Sequence, residues 1–184
     1  MNRTASITLV TGGAVSGKSR WAISYFRTCD NVLYMNTSPE LPEETRNRME
    51  YSNEENNVRW EIVNSVTDPA SCIMNHKFFI LDNLGYYVEH VMEDIAQDVN
   101  NITRDEFDRI RSEVVNNTIE CMERVERING ALVIITDEPG FSVLPSSPRQ
   151  IAYRDILGAV NQRVANSAQE VYLSVSGIQF KIKG

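Results

Sequence analysis

A glycine-rich segment near the start of the chain has the residue types and spacing of a phosphate-binding loop. Gly12-Gly13-Ala14-Val15-Ser16-Gly17-Lys18-Ser19 fits the pattern GxxxxGK[ST]. Glycines let successive backbone N–H groups point toward an anion, and the positive end of the following helix strengthens the attraction. Lys18 is suited to reach the terminal phosphates, and Ser19 to ligate Mg²⁺ through its hydroxyl. The pattern therefore predicts binding of GTP or ATP together with Mg²⁺.

A loop of this kind needs an acidic partner on the magnesium side, and Asp82 is the candidate. It follows the apolar run of residues 78–81, which reads as a buried strand. At the carboxyl end of a parallel strand, its carboxylate would lie beside the phosphate loop and help to hold Mg²⁺. The alternative is that Asp82 caps the helix that follows.

The elements that must position these residues follow from apolar patterning. Strands are predicted at residues 7–10, 32–35, 78–81 and 131–136, and two closing strands at 171–175 and 178–182. Helices are predicted at 18–27, 85–99, 103–128 and 148–168, the third opening with a capping box of Thr103 and Glu106. The polar stretch 39–57 is expected to be a mobile loop with a helical piece. The pattern indicates one α/β domain over residues 1–184, with a largely parallel sheet flanked by helices and a closing C-terminal hairpin.

Composition narrows the classes of function. The chain has 184 residues and a net charge of −7, so its surface repels phosphate backbones and nucleic acid is not an expected partner. Its three cysteines are far apart and suggest neither a zinc site nor a disulfide framework. No apolar stretch is long enough to span a bilayer, and the N-terminus leads directly into the first strand. A cytoplasmic location is expected.

Several segments spread over the chain form a recognisable set. The most specific are at the C-terminal end: YRD at residues 153–155, Gly158, NQ at 161–162 and VSGI at 175–178. The others are LVTGGAVSGKSR at 9–20, YMNTS at 34–38, ILD at 80–82, VIITDEPG at 133–140 and VLP at 143–145. Together these segments resemble the bifunctional adenosylcobinamide kinase / adenosylcobinamide-phosphate guanylyltransferase family of cobalamin biosynthesis.

The resemblance implies a P-loop NTPase-like fold, a homotrimer and two activities. The first phosphorylates adenosylcobinamide, the corrinoid substrate. The second transfers GMP from GTP to adenosylcobinamide phosphate through a covalent guanylyl-histidine. It also implies nucleotide contacts from the phosphate loop and from Asn36, Thr37, Ser38, Asn53, Glu54, Glu55, Asn56, Asn64 and Asp82.

The chain departs from the family pattern at the guanylylated histidine. An ungapped alignment anchored on Arg48 and Trp60 puts Ser52 at that position, and asparagines replace charged neighbours at positions 53, 56 and 64. A phosphoester on Ser52 would be more stable than a phosphoramidate and a poor intermediate. Three hypotheses stay open: both activities with altered chemistry, a kinase alone, or a non-catalytic nucleotide-binding regulator or corrinoid partner.

A few further residues have both a functional and a structural interpretation. The two histidines are possible substitute nucleophiles, although an ordinary hydrogen-bonded role is preferred, with His76 in a solvated loop. Glu138 could orient the acceptor hydroxyl or stabilise a turn. The remaining candidates are His90 on a helix, Arg154 with Asp155 as an internal ion pair, and Tyr86 and Tyr87 as corrin-packing or core residues.

Overall fold

A computed structural model describes residues 6–141 and 143–184. Residues 1–5, which fall within the predicted domain, and Ser142 lie outside the described residues. The strands are Ser6–Gly12 (β1), Val32–Asn36 (β2), Trp60–Val63 (β3), Phe78–Asp82 (β4), Ala131–Ile135 (β5), Glu170–Val175 (β6) and Ile178–Lys183 (β7). The helices are Lys18–Phe26 (α1), Glu43–Asn56 (α2), Leu84–Ile95 (α3), Arg104–Arg127 (α4) and Pro148–Ser167 (α5). Short 3-10 turns cover Pro69–Cys72 and Pro139–Phe141.

The strands form one sheet in the order β3-β2-β4-β5-β1-β6-β7. Every neighbouring pair is parallel except the β6–β7 hairpin, which is antiparallel. This confirms the predicted α/β class with a closing hairpin. Because the strands are parallel, the carboxyl ends of β1, β4 and β5 meet at one edge, where ligands bind in open α/β sheets.

Apolar side chains cover both faces of the sheet, which explains why its strands read as continuous hydrophobic runs. On one face α1 and α2 bury Phe26 and Met49 against β-strand residues such as Tyr34. On the other face, a larger cluster joins α3, α4 and α5 to the sheet, with Val114 and Val160 fully buried.

Two elements differ from the sequence-based expectations. Most of the stretch predicted as a mobile loop is the helix α2, which buries only Met49 and so has no apolar stripe to reveal it. The short edge strand β3 was not predicted, because none of its four residues is fully buried. By contrast, α4 begins as predicted, with Thr103 and Glu106 forming the capping box. Within the described residues, no helix is long and apolar enough to cross a membrane.

Candidate active site

The phosphate loop connects β1 to α1 and has the backbone that its glycines predict. Gly17 takes a left-handed conformation with φ 98° and precedes the first helical residue. Gly12 has φ 154°, and a Cβ there would collide with the backbone oxygen of Ser174. The Lys18 side chain is buried and folds back over the loop, donating to the backbone oxygens of Gly12 and Gly13 at 3.1 and 2.8 Å.

The same lysine has an acidic partner from the neighbouring strand. Its Nζ atom lies 2.8 Å from Oδ1 of Asp137, which follows β5 by two residues. The ammonium is therefore fully occupied by oxygen atoms of the protein itself. A bound phosphate would have to exchange with these partners.

Ser19 and Tyr34 both donate hydrogen bonds to one oxygen of Asp82. The Ser19 Oγ atom lies 2.9 Å from Oδ2, and the Tyr34 hydroxyl contacts the same oxygen from β2. Burial raises the pKa of Asp82, while the hydrogen bonds from Tyr34 and Ser19 and the nearby charge of Lys18 act in the opposite direction. Burial, followed by the charge of Asp82, raises the pKa of Tyr34 well above its usual range, so Tyr34 stays a donor.

Hydroxyl and carboxylate oxygens are donors that suit Mg²⁺, so Ser19 and Asp82 fit this ion. No cluster of three or more His, Cys, Asp or Glu side chains able to hold a metal occurs in residues 6–141 and 143–184. The site therefore suits an ion that keeps water and phosphate oxygens among its ligands.

The tip of the β6–β7 hairpin supports the loop from behind. The N–H of Gly177 and the hydroxyl of Ser174 donate to the backbone oxygen of Ser16, at 2.9 and 2.7 Å. A Cβ on Gly17 would lie 3.1 Å from the Cα of Gly177, so the two backbones are in close approach. A C-terminal segment thus fixes the shape of an N-terminal loop.

Three cavities lie near the phosphate loop, and loop residues line two of them. One of about 320 Å³ covers its outer side and is lined from α2 by Glu44, Thr45 and Arg48. A second, of about 820 Å³, is lined by the loop, by residues 137–139, 141 and 143–146, and by α5, with apolar contributions from Phe141, Val143, Leu144, Pro145 and Leu157. The third, of about 240 Å³, is polar and lined by Asn83, Tyr86, Glu89, Asp137 and Tyr153.

Comparison with known proteins identifies the family to which a chain with this site belongs. A family model described as cobinamide kinase / cobinamide phosphate guanyltransferase matches residues 8–182. The chain belongs to this family. It is 32% identical over 187 residues to the bifunctional adenosylcobalamin biosynthesis protein CobU of Escherichia coli (strain K12), covering 95% of this chain and 98% of that protein. It is 31% identical over 185 residues to the protein of the same name from Salmonella typhimurium, with the same coverage.

In this member of the cobinamide kinase family, the polar residues after β2 form a network of their own. The Asn36 side chain donates to Oδ1 of Asn64 at 2.9 Å and accepts from the Ser38 hydroxyl at 2.8 Å. Thr37 donates to the backbone oxygen of Asn83 at 2.7 Å and so connects the ends of β2 and β4. These four predicted nucleotide contacts lie at the carboxyl edge of the sheet.

The predicted contacts on α2 lie further from the loop. Ser52 follows Arg48 by one helical turn and does not line any of the three cavities, and neither do residues 53–56. The backbone oxygen of Ser52 accepts a hydrogen bond from the Asn56 side chain at 2.8 Å. The structure thus brings Lys18, Ser19 and Asp82 together but leaves the family's histidine position outside this cluster.

Several interpretations of single residues can now be resolved. Tyr87 is a core residue, whereas Tyr86 is half exposed and lines the polar cavity. The prediction of a solvated His76 was wrong: its side chain is 11% exposed and lies at the amino end of β4, 3.3 Å from Glu61. Glu138 accepts a hydrogen bond from the N–H of Gly140 and so contacts its own turn. His90 lies on α3, as predicted for a helix. Arg154 and Asp155 form an ion pair at 2.8 Å, and both side chains are partly exposed rather than internal.

Sequence reasoning missed Asp137 and Tyr153 as site residues. Asp137 comes just after a buried strand, as Asp82 comes at the end of one, and this shared position was the available signal. Tyr153 belongs to the YRD set at residues 153–155 that resembles the family, but its position inside α5 gave no sign that helix packing brings it to the site.

Proposed function

We propose that the protein transfers the γ-phosphoryl group of GTP or ATP to the free hydroxyl of adenosylcobinamide. The observation that carries this proposal is the cluster of Lys18, Ser19 and Asp82 around a complete phosphate loop. The adjoining cavity of about 820 Å³ is large and apolar enough to take part of a bulky acceptor. Membership in the cobinamide kinase family supports the choice of acceptor.

Each residue has a distinct task in this proposal. The backbone N–H groups of the loop bind the phosphates, and Lys18 moves from Asp137 to the terminal phosphate. Ser19 and Asp82 hold Mg²⁺, which neutralises charge on the phosphate oxygens when bound. Asn36, Ser38 and Asn64 orient the nucleotide from the adjoining strand ends. A non-catalytic regulator would not need this complete set of transfer groups.

For the second family activity we propose direct transfer of GMP from GTP to adenosylcobinamide phosphate. A phosphate oxygen of the acceptor attacks the α-phosphorus, and pyrophosphate leaves. The reason is that Ser52 would form an ester too stable to pass GMP onward. P-loop sites act mainly by positioning and charge stabilisation, which a direct transfer can use as well.

The protein is also proposed to be a cytoplasmic homotrimer. The family resemblance supports this proposal, and so does an exposed apolar stripe on the edge strand β7. Ile178, Phe180 and Ile182 are each more than half exposed, an arrangement that is typical of a surface covered by another chain. Light scattering at micromolar concentration tests this: a trimer is expected, and a monomer contradicts it.

The decisive experiment for the kinase is incubation of the protein with adenosylcobinamide, Mg²⁺ and either γ-labelled GTP or γ-labelled ATP. Label is expected on the corrinoid with at least one nucleotide, and its rate identifies the preferred donor. The absence of labelled corrinoid with both nucleotides would refute the proposal.

A further inference from the structure

The polar cavity of about 240 Å³ beside the phosphate loop has no role in the function proposed above. Three elements build it: the β4–α3 junction supplies Asn83, Tyr86 and Glu89, the end of β5 supplies Asp137, and α5 supplies Tyr153. All five side chains carry a polar group. Such a pocket selects ligands by hydrogen bonding rather than by apolar contact.

Three oxygen atoms converge near Gly85, in the first turn of α3. A Cβ placed on Gly85 would lie 2.5 Å from the Tyr153 hydroxyl, 3.0 Å from Oδ1 of Asn83 and 3.4 Å from Oδ2 of Asp137. Because glycine has no side chain, the three groups can face one another at this point. The three oxygen atoms therefore pack closely against Gly85 and form one wall of the cavity, and the cavity itself has room for a small polar group of a ligand.

Asp137 connects this pocket to the phosphate loop. Its Oδ1 atom lies 2.8 Å from Lys18 Nζ, whereas its Oδ2 atom lies on the side of Gly85 and Tyr153. A group bound in the pocket is therefore separated by one carboxylate from the lysine that would hold the terminal phosphate. An acceptor for phosphoryl transfer has to be held next to the terminal phosphate in this way.

The charge of the pocket determines which acceptor group fits. Glu89 and Asp137 are acidic, and none of the lining residues is basic. Burial, followed by the charges of Asp137 and Glu89, raises the pKa of Tyr153, so its hydroxyl keeps its proton. An alcohol can donate to a carboxylate here and accept from Tyr153, whereas a phosphate would be repelled.

We propose that this pocket binds the hydroxyl-bearing end of the acceptor, with Asp137 accepting a hydrogen bond from the hydroxyl and Tyr153 donating one to it. The proposal rests on the kinase function proposed above. The bulk of the acceptor lies in the larger cavity, which shares Asp137 and Tyr153 with the pocket.

The chemistry of the transfer follows from this placement. The hydroxyl oxygen forms a bond to the γ-phosphorus, and the bond from that phosphorus to the bridging oxygen breaks, releasing the nucleoside diphosphate. The hydroxyl proton passes to the Asp137 carboxylate and then to solvent. Once phosphorylated, the acceptor carries negative charge close to Glu89 and Asp137, which favours its release.

The test is a steady-state comparison of Tyr153→Phe and Gly85→Ala with the unmodified protein, using adenosylcobinamide as acceptor. Each substitution should raise KM for adenosylcobinamide about tenfold, the size of one lost hydrogen bond. The Kd for GTP, measured by calorimetry, should stay within about twofold, since neither residue belongs to the loop or forms a hydrogen bond with it. Gly158→Ala is the matched control, because a Cβ on this α5 glycine meets nothing within 4 Å.

An unchanged acceptor KM in both variants would overturn the pocket assignment, and so would a loss of GTP affinity in place of acceptor affinity. Circular dichroism shows whether each variant is folded. If Gly85→Ala does not fold, the acceptor KM of Tyr153→Phe alone tests the pocket assignment. Unmodified protein that labels no corrinoid refutes the kinase function itself. Active unmodified protein with unaffected variants refutes only the pocket.

Discussion

Lys18 and Asp137 form an ion pair with 2.8 Å between Nζ and Oδ1, across the gap between the phosphate loop and the end of β5. The lysine side chain is almost fully buried, whereas that of Asp137 is more than a third exposed. The pair holds the ammonium beside the loop while solvent keeps access to the carboxylate. In the proposed function, nucleotide and acceptor would contact this ion pair from opposite sides.

Replacing Lys18 with alanine should reduce phosphoryl transfer by at least about 10²-fold, since a charge aimed at the transferred phosphate is lost. The rate of label transfer to adenosylcobinamide measures this, and circular dichroism should report an intact fold. Lys77→Ala is the control, because Lys77 is exposed at the opposite end of the sheet. Equal affinity for nucleotide in the Lys18→Ala and unmodified proteins, measured by calorimetry, would contradict the assignment.

Replacing Asp137 with asparagine should change GTP affinity and phosphoryl transfer in opposite directions. Without its carboxylate competitor, Lys18 is free for phosphate, and GTP affinity should rise about two- to fivefold, as expected for a part-exposed ion pair. Transfer to adenosylcobinamide should fall, because the acceptor hydroxyl loses its hydrogen-bond acceptor. Calorimetry and corrinoid labelling report the two effects, and Asp155→Asn, which breaks a pair on α5, is the control. A fall in GTP affinity would show that Asp137 assists nucleotide binding.

Tyr34→Phe removes one of the two hydroxyls that orient Asp82 and leaves the ring in the core. Loss of such an indirect contact to a metal-binding carboxylate typically weakens metal affinity by about 10- to 100-fold. We expect the Mg²⁺ concentration for half-maximal GTP binding to rise accordingly in a fluorescence titration. Tyr87→Phe, equally buried but in the opposite core cluster, should behave like the unmodified protein. Identical magnesium requirements in both variants would argue against this role for Tyr34.

The capping box of α4 should make the free energy of unfolding depend on pH in the acid range. Hydrogen bonds from the N–H groups of Gln97 and Thr103 lower the pKa of Glu106 from 4.5 to about 2. Since the folded-state pKa is depressed, this stabilisation is present above pH 4.5 and is lost as pH falls toward 2.

Glu106→Gln tests this dependence. It should lower the free energy of unfolding at pH 7, and the difference should shrink as the pH falls below 4.5. Urea unfolding at several pH values measures this, with Glu113→Gln, an exposed mid-helix substitution, as control. A difference that does not vary with pH would exclude ionised Glu106 as its source.

The protein should form no guanylyl-histidine at the usual family position, which is Ser52 here. The test is to mix it with α-labelled GTP, denature it and search for retained label. Acid-labile, alkali-stable label would refute the prediction. His90 would then be the first residue to replace, because it lies one turn beyond Tyr86 of the polar pocket, whereas His76 lies at the opposite end of β4.

The elements that were predictable are those with a strong local signal. The α4 helix has both a capping box and a long apolar stripe, and its position agrees closely with the prediction. The helix α2 and strand β3 lack such signals, because α2 buries only Met49 and no residue of β3 is fully buried.

The residues of the candidate site also differ in whether a local sequence signal reveals them. Lys18 and Ser19 belong to one contiguous motif, and Asp82 ends a recognisable strand, so all three could be found from the sequence. Asp137 and Tyr153 meet only because β5 lies between β4 and β1 and because α5 packs nearby. Strand order is a global property, so the polar pocket could not be read from local patterns.

The sharing of one Asp82 oxygen by the hydroxyls of Ser19 and Tyr34 has a kinetic consequence. When a metal–nucleotide complex arrives, Tyr34 can keep Asp82 in place, and the required movements are side-chain rotations of Ser19 toward the ion and of Lys18 from Asp137 toward the phosphate. Side-chain rotations of this kind take picoseconds to nanoseconds. Capture of nucleotide by this loop should therefore be limited by diffusional encounter rather than by slow rearrangement of the protein.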